Sequence, residues 1–166
     1  MQSASITLEK KDCLRRSGVL LAQRDYTCRR LKEKLLSAGF KEEIVEETLQ
    51  DLKAARYLDD ARYAENFVNA HREDRSRMRM RSDLENRGVP PEVISEVLSR
   101  DSEEHGNGAE IRQIRRLMRK RGFDPASAGR EERNKIQAFL YRKGYNTSSI
   151  RAAMRAEPLD SDGFSV

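Results

Sequence analysis

The stretch RLKEKLLSAGFKEEIVEETL at residues 30–49 decides the fold, because its pattern returns twice more in the same chain. The second copy is RMRSDLENRGVPPEVISEVL at residues 79–98, and the third is KIQAFLYRKGYNTSSIRAAM at residues 135–154. Each copy has a glycine at its tenth position, a leucine four residues before it and an apolar residue directly after it. A unit of roughly 50 residues is too small to bury its own apolar stripe, so the copies are expected to stack on one another.

Apolar residues recur at spacings of three and four along the chain, which predicts helices, and no β-type alternation is found. The sequence therefore predicts an all-α protein of nine helices, built as three tandem three-helix repeats in an elongated array. The predicted boundaries are 1–58 for the first repeat, 59–103 for the second, 104–157 for the third and 158–166 for an acidic, disordered tail.

Helix starts and buried faces follow from local signals. The first helix is expected over about residues 8–24, with Leu14, Gly18 and Leu21 on one face. The segment YLDDARY at residues 57–63 is assigned mainly to packing. The side chains suited to capping helix N-termini are those of Thr27, Asp59, Ser76 and Asn146.

Few residues suit catalysis. His71 and His105 are the only histidines and neither has an evident partner, while Cys13 and Cys28 belong to no CxxC motif. These four residues lack the spacing of zinc ligands, and the adjacent acids at 59–60 are explained by capping. No glycine loop of the phosphate-binding type is present. We therefore expect a protein that is not an enzyme, with reduced cysteines and with no metal or other cofactor.

No apolar run approaches the ~18 residues of a membrane span, and the opening MQSASITLEKKD lacks the apolar core of a signal peptide. Cytoplasmic residence without membrane contact is expected.

Charge is distributed unevenly along the chain. The net charge is +5, but residues 110–156 hold thirteen bases against four acids. One candidate binding cluster lies on a single predicted helix, and it comprises Arg112, Arg115, Arg116, Arg119, Lys120 and Arg121. Residues 112, 115, 116 and 119 recur at spacings of three and four, so these four share one face. A second, diluted by acids, lies at a predicted turn and comprises Arg72, Arg75, Arg77, Arg79 and Arg81.

Three interpretations of these clusters remain open. The arginines fit a nucleic-acid phosphate backbone, and they fit an acidic protein groove equally well. The third interpretation is a solvated helix surface with no partner. No aromatic residue is interleaved with the arginines for base stacking, which disfavours specific single-strand recognition.

The motif YLDDARYAENFV at residues 57–68 resembles the most recognisable motif of the RecX family, regulators of the RecA recombinase. RDYTCRRLKEKL at 24–35 and KIQAFLYRKGYNTSSI at 135–150 are similar to the first and third repeats of that family. The resemblance covers about residues 14–154. Two positions depart from the family pattern: Arg30 replaces a capping-box glutamate, and Asp74 and Ser76 stand where glycines are common.

The resemblance implies a curved, elongated array of three three-helix repeats and no catalytic residues. It also implies a monomer that docks on the RecA–DNA filament, with possible direct contact to DNA, and that inhibits recombinase, ATPase and coprotease activities. The alternative that the residues themselves leave open is an independent DNA- or RNA-binding helical protein, acting through its basic third repeat.

Overall fold

A computed structural model describes residues 2–155 of the chain, with side chains described from Leu8 onward. Within this part nine α-helices are formed and no strand, so the prediction of an all-α fold is confirmed. The helices are α1 Gln2–Gln23, α2 Cys28–Ser37, α3 Glu42–Ala54, α4 Asp60–His71, α5 Arg77–Asn86, α6 Pro91–His105, α7 Gly108–Lys120, α8 Arg130–Arg142 and α9 Thr147–Met154. The acidic tail predicted at 158–166 lies outside the described residues.

The described residues form two compact units. The first unit contains the chain up to Ala70 together with Met80–Asp101, and the second contains His71–Arg79 together with the chain from Ser102 onward. The short segment His71–Arg79 therefore belongs with α7, α8 and α9, although it precedes them by about thirty residues. The repeat boundaries set from sequence stay a prediction.

Helix α1 packs on α2 and α3 in the first unit, through a face that is rotated from the predicted one. Cys13, Ser17 and Leu20 are buried and Leu21 is half-buried against the same apolar cluster, whereas Leu14 is 43 % exposed and Gly18 is exposed. The hydroxyl of Ser17 donates a hydrogen bond to the Cys13 carbonyl (2.9 Å), so this polar side chain is buried with its donor satisfied. The prediction is correct for Leu21 and wrong for Leu14 and Gly18, because it left out a serine that bonds within its own helix.

Each repeat has its own apolar cluster. The first cluster includes Leu31, Leu35, Val45 and Leu49, together with the buried residues of α1. The second, also in the first unit, is built from Ala64, Phe67, Val68, Met80, Leu84, Val89, Ile94, Val97 and Leu98. The third, in the second unit, is built from Ile114, Met118, Ile136, Leu140, Tyr145, Ile150, Ala153 and Met154. The leucines four residues before the repeat glycines, at 35, 84 and 140, are all fully buried.

The predicted N-caps are confirmed. Side-chain oxygens accept hydrogen bonds from backbone N–H groups in the first turn of each helix, which satisfies donors that have no partner inside the helix. The pairs are Thr27 with Arg30 (3.2 Å), Asp59 with Ala61 and Arg62 (both 3.0 Å), Ser76 with Arg79 (3.3 Å) and Asn146 with Ser149 (2.7 Å).

Thr27 also takes part in a contact between α2 and the end of α5 in the first unit. Its hydroxyl donates to the carbonyl of Arg87 (2.6 Å), the residue before the repeat glycine of the second repeat. Beside it, the backbone N–H of Cys28 donates to the carboxylate of Asp60 (2.8 Å). Burial, and secondly this carboxylate, raises the pKa of the Cys28 thiol to about 12.

The second unit contains the same arrangement. The Ser76 hydroxyl donates to the carbonyl of Lys143 (3.0 Å), which again precedes a repeat glycine. The backbone N–H of Arg77 donates to the carboxylate of Glu110 (2.9 Å). We call each of these arrangements a junction: a capping hydroxyl, the next N–H in the chain, a carboxylate and a carbonyl before a glycine. The YLDD motif thus supplies Asp59 to cap its own helix and Asp60 to the junction.

Candidate functional site

The basic candidate face lies on α7, in the second unit. Ala109, Ile114 and Met118 form the buried side of α7. Their burial determines which side of the helix faces outward. The arginines at spacings of three and four fall on the opposite side, as the sequence predicts. Arg112, Arg116, Arg119, Lys120 and Arg121 are exposed, and Arg115 is half-buried.

Two polar side chains on the buried side of α7 fasten other segments to it. The amide of Gln113, 4 % exposed, donates to the carbonyls of Arg72 (2.7 Å) and Arg75 (3.2 Å) and accepts from the Tyr145 hydroxyl (2.9 Å). The carboxylate of Glu110 binds the turn on one side and the start of α9 on the other. Its three donors are the N–H of Arg77 (2.9 Å), the amide of Asn146 (2.8 Å) and the hydroxyl of Ser149 (2.8 Å).

These bonds bring most of the second candidate cluster to α7. Arg72, Arg75, Arg77 and Arg79 lie on the segment His71–Arg79, within the same compact unit as α7. Most members of the two clusters, which the sequence presents separately, therefore belong to one compact unit. Arg81 is the exception, since it lies in the first unit and donates to the Ser95 hydroxyl (3.2 Å).

The arginines of the turn are not equally available. Arg77 is half-buried, and its guanidinium donates to the side-chain oxygen of Asn107 (2.6 Å) and to the carbonyl of Gly106. These bonds give Arg77 a structural role. Arg72 and Arg75 are half-buried, whereas Arg79 is exposed.

Glu73 neutralises one cation of the α7 face. Its two carboxylate oxygens accept from Nη2 (2.6 Å) and Nε (3.3 Å) of Arg112, a two-point contact. The Arg112 guanidinium, and more weakly the charges of Arg116 and Arg72, hold the pKa of Glu73 below its usual value. The pair is exposed, so it decides which charges the surface presents more than it decides stability.

Three other cations of α7 differ from Arg112 in this respect. Arg116, Arg119 and Lys120 form no ion pair with the described residues. Arg121 lies over the ring of Phe139, with its guanidinium carbon 3.7 Å from the ring centre, a cation–π contact. The face is therefore partly neutralised at its N-terminal end and strongly positive at its C-terminal end.

Sequence reasoning counted Glu73 among the acids that dilute the second cluster but not as a partner of Arg112, and it missed the roles of Glu110, Gln113 and Phe139. Glu110 and Gln113 had a readable signal, because polar residues at these positions interrupt the apolar stripe that continues through Ile114. Phe139 comes from α8 and had none. No aromatic residue is interleaved with the arginines along the sequence, but in the fold the ring of Phe139 lies against Arg121.

The assignment of segment 57–63 to packing is correct in part. Leu58 is 2 % exposed and Tyr63 is half-buried, with its hydroxyl accepting from Arg87 (2.9 Å). Tyr57 is 68 % exposed, so its assignment to packing is wrong. The inward position of this turn is taken by Leu58.

Within residues 2–155 no cluster of three or more His, Cys, Asp or Glu side chains is arranged to hold a metal ion. His71 Nδ1 lies 3.2 Å from Asp74 Oδ1, so the expectation that this histidine lacks a partner is wrong. No helix in the described part is both long and apolar enough to cross a membrane.

Three-helix repeats with recurring junctions and a helix rich in exposed cations define an all-helical repeat protein with a basic face on α7. Comparison with known proteins identifies the family. A model of the second three-helix domain of RecX matches residues 59–98, and a model of the third matches residues 109–154. The chain is 37 % identical over 147 residues to the regulatory protein RecX of Trichlorobacter lovleyi, covering 86 % of this chain and 94 % of that one. It belongs to the RecX family of regulatory proteins.

Other relatives agree. The regulatory protein RecX of Halorhodospira halophila is 33 % identical over 144 residues, which is 86 % of each chain. The crystal structure of RecX from Lactobacillus salivarius superimposes with a TM-score of 0.77 over 89 % of this chain and 96 % of that one. At 17 % identity, this structural likeness establishes the fold alone.

Proposed function

We propose that this chain regulates a RecA-type recombinase by binding the RecA–DNA filament and inhibiting its recombinase, ATPase and coprotease activities. The observation that carries the proposal is membership of the RecX family, shown by two domain models and by relatives matched over most of their length. The proposed role needs binding and no chemical step, and no catalytic residues come with the family.

The exposed cations of the second unit support filament binding. Arg116, Arg119 and Lys120 are the members of the α7 face that form no ion pair with described residues. Cations in this state attract phosphate oxygens of exposed DNA or carboxylates of an acidic protein surface. We propose that they contact the filament, that Arg115, Arg121 and Arg79 flank this contact, and that Arg77 supports it structurally.

A binding protein of this kind acts by restraint. A helix of ~15 residues is about 22 Å long. We propose that the chain contacts more than one recombinase subunit. Contact with several subunits at once would oppose the rearrangements that ATP turnover requires. Inhibition would then need no displacement of DNA.

The proposal is tested by measuring ATP hydrolysis by RecA on single-stranded DNA while the concentration of this protein is increased. We expect inhibition below the concentration of RecA itself, because one bound molecule restrains several subunits. Unchanged hydrolysis up to equal concentrations would refute the proposal.

The contact surface is tested by charge reversal. The double variant Arg116→Glu/Arg119→Glu is compared with Lys11→Glu/Arg16→Glu, which changes the net charge equally on α1. Residues 11 and 16 are exposed and lie in the first unit. We expect the α7 variant to lose filament binding and the α1 variant to retain it, with both thermal midpoints measured as a check of folding. Equal behaviour of the two variants would remove α7 from the contact.

Salt dependence separates this proposal from binding to nucleic acid alone. A protein that neutralises about 4–6 phosphates has a log–log affinity slope of roughly −3 to −5. Binding to oligo(dT) without RecA, with this slope and with an affinity equal to that for the filament, would favour the independent nucleic-acid-binding function.

A further inference from the structure

Five helix ends in this chain share one backbone arrangement. In each, the N–H of the third residue beyond the helix end donates to the carbonyl five residues before it, and the residue directly before this donor has a positive φ. The donor residues are Phe40, Tyr57, Val89, Phe123 and Tyr145, and their bonds measure between 2.9 and 3.3 Å.

Four of these donor side chains pack into a core. Val89 and Tyr145 are 3 % and 6 % exposed, and Phe40 and Phe123 lie against the first and third apolar clusters. An apolar contact at this position ordinarily accompanies this type of helix end. Tyr57 has the same backbone arrangement, yet its side chain is 68 % exposed. Exposure of this tyrosine is therefore not a consequence of the turn geometry.

The turn that carries Tyr57 is held in place from several sides. The residue before it, Arg56, has φ +57°, a left-handed conformation that a glycine occupies at the four other helix ends. The guanidinium of Arg62 donates to the carbonyls of Arg56 (3.1 Å) and Tyr57 (3.4 Å). The residue after Tyr57 is Leu58, which is 2 % exposed and anchors the turn in the core. A tyrosine on a fixed backbone loses little conformational freedom when a partner covers it.

The charges around Tyr57 indicate the kind of partner. The depression beside its ring is lined by Asp25, Asp59 and Arg62, together with Leu21, Tyr26 and Tyr63. The Asp59 carboxylate already caps α4 and the Arg62 guanidinium already binds backbone carbonyls, so this mixed lining offers no cluster of free cations for a phosphate backbone. An apolar ring with a polar tip, surrounded by charges of both signs, is typical of a contact with another protein.

We propose that Tyr57 is an anchor residue for a protein partner, inserted into an apolar pocket on the protein component of the filament. This inference rests on the function proposed above and adds to it a second contact, in the first unit, which does not depend on the arginines of α7. The partner pocket needs apolar walls for the ring and a hydrogen-bond group for the hydroxyl.

The test compares Tyr57→Ala with Tyr141→Ala. Tyr141 on α8 is 64 % exposed, so it matches Tyr57 in residue type and exposure. Fluorescence anisotropy measures binding of each N-terminally labelled protein to preformed RecA filaments on oligo(dT), and to oligo(dT) alone, over a series of salt concentrations. Thermal midpoints are recorded for both variants, and neither should change, since both side chains lie outside the cores.

We expect Tyr57→Ala to weaken filament binding about tenfold or more, as loss of an interface anchor does. Its log–log salt slope should equal that of the wild type, because no charge is removed, and Tyr57→Phe should retain most of the affinity. Tyr141→Ala should bind as the wild type does.

Three results would overturn the inference while leaving the proposed function intact. These are wild-type affinity of Tyr57→Ala, equal losses in both alanine variants, and an equal loss on oligo(dT) alone, which would indicate base stacking. A wild-type protein that does not bind the filament would instead overturn the proposed function, and the inference with it.

Discussion

The glycines at positions 39, 88 and 144 all have positive φ, between 81° and 92°, but only two of them lie against another side chain. A β-carbon at Gly88 would come within 2.7 Å of the Arg29 β-carbon, and one at Gly144 within 2.9 Å of the Ser76 hydroxyl oxygen. At Gly39 a β-carbon would meet no described atom within 4 Å. The left-handed conformation favours glycine at all three positions, and close packing at the junctions adds a second requirement at two of them.

Gly88→Ala should therefore destabilise the protein more than Gly39→Ala. Both substitutions place a side chain in the left-handed region, at a cost of roughly 1–2 kcal/mol. Gly88→Ala adds overpacking against Arg29, which costs about 1–3 kcal/mol more. Urea denaturation followed by circular dichroism measures the difference. Equal free energies of unfolding would show that Arg29 moves aside without cost.

Residue identity alone predicted the helix caps, because capping depends on neighbours within three positions. Thr27 and Asn146 were assigned from sequence and confirmed. The exposure of Tyr57 was not predictable in this way. Tyr57 and the neighbouring Leu58 both carry large apolar groups, so residue type alone did not decide which of the two is buried.

At the scale of single elements, α7 shows how a helix with a strong positive face depends on a distant segment. Glu73, thirty-nine residues before Arg112, supplies the carboxylate that neutralises this arginine. Because Arg112 lowers the pKa of Glu73, the pair is intact at neutral pH, and its contribution is lost only as the pH falls through that lowered value. A substitution is therefore the cleaner way to break the pair.

Glu73→Gln should strengthen binding to a polyanion. The change releases Arg112, and one additional phosphate contact steepens the log–log salt slope on single-stranded DNA by about 0.7. Oligo(dT) titrations at several salt concentrations measure it. Glu65→Gln is the control, since it removes the same charge and releases Arg100 from a 2.7 Å ion pair in the first unit. The same change in slope for both variants would show a net-charge effect without a role for this face.

The α7 face was predictable because the arginine spacing of three and four is a property of one helix. Its contact with the segment His71–Arg79 was not predictable. That contact depends on a hydrogen bond that Gln113 donates and one that Glu110 accepts, each with a residue more than thirty positions away. Sequence periodicity identifies which side of a helix is buried. It does not identify the segment that covers that side.

At the scale of the whole molecule, the apolar clusters of the three repeats are separate. Leu35 belongs to the first cluster and Leu140 to the third, and both are fully buried. Repeat proteins of this kind are stabilised by each repeat and by its contacts with neighbours, so damage to one core is expected to remain local.

Leu35→Ala and Leu140→Ala should each cost about 2–5 kcal/mol, from lost apolar burial and the cavity left behind. Hydrogen–deuterium exchange should show faster exchange in α1–α3 for the first variant and in α7–α9 for the second. Each variant serves as the control for the other. Uniform loss of protection along the chain in either variant would show instead that the protein unfolds as one cooperative unit.

The repeat pattern predicted the all-helical fold, because three aligned glycine–apolar pairs separate helices of similar length. The two compact units were not predicted. They depend on which neighbour the turn around Ser76 contacts, and its hydroxyl binds a carbonyl sixty-seven residues further along. Long-range partners of this kind leave no periodic trace in the chain.

The two junctions have a consequence for protein engineering. The hydroxyls of Thr27 and Ser76 each donate to the backbone carbonyl of the residue before a repeat glycine. The chain therefore contains two examples of one contact between consecutive repeats. A β-carbon at Gly39, the corresponding glycine of the first repeat, would meet no described atom within 4 Å. A module that contains a Ser- or Thr-capped helix could therefore be grafted onto this glycine. Proteins with additional three-helix repeats, joined through the same contact, could then be designed to bind longer stretches of a filament.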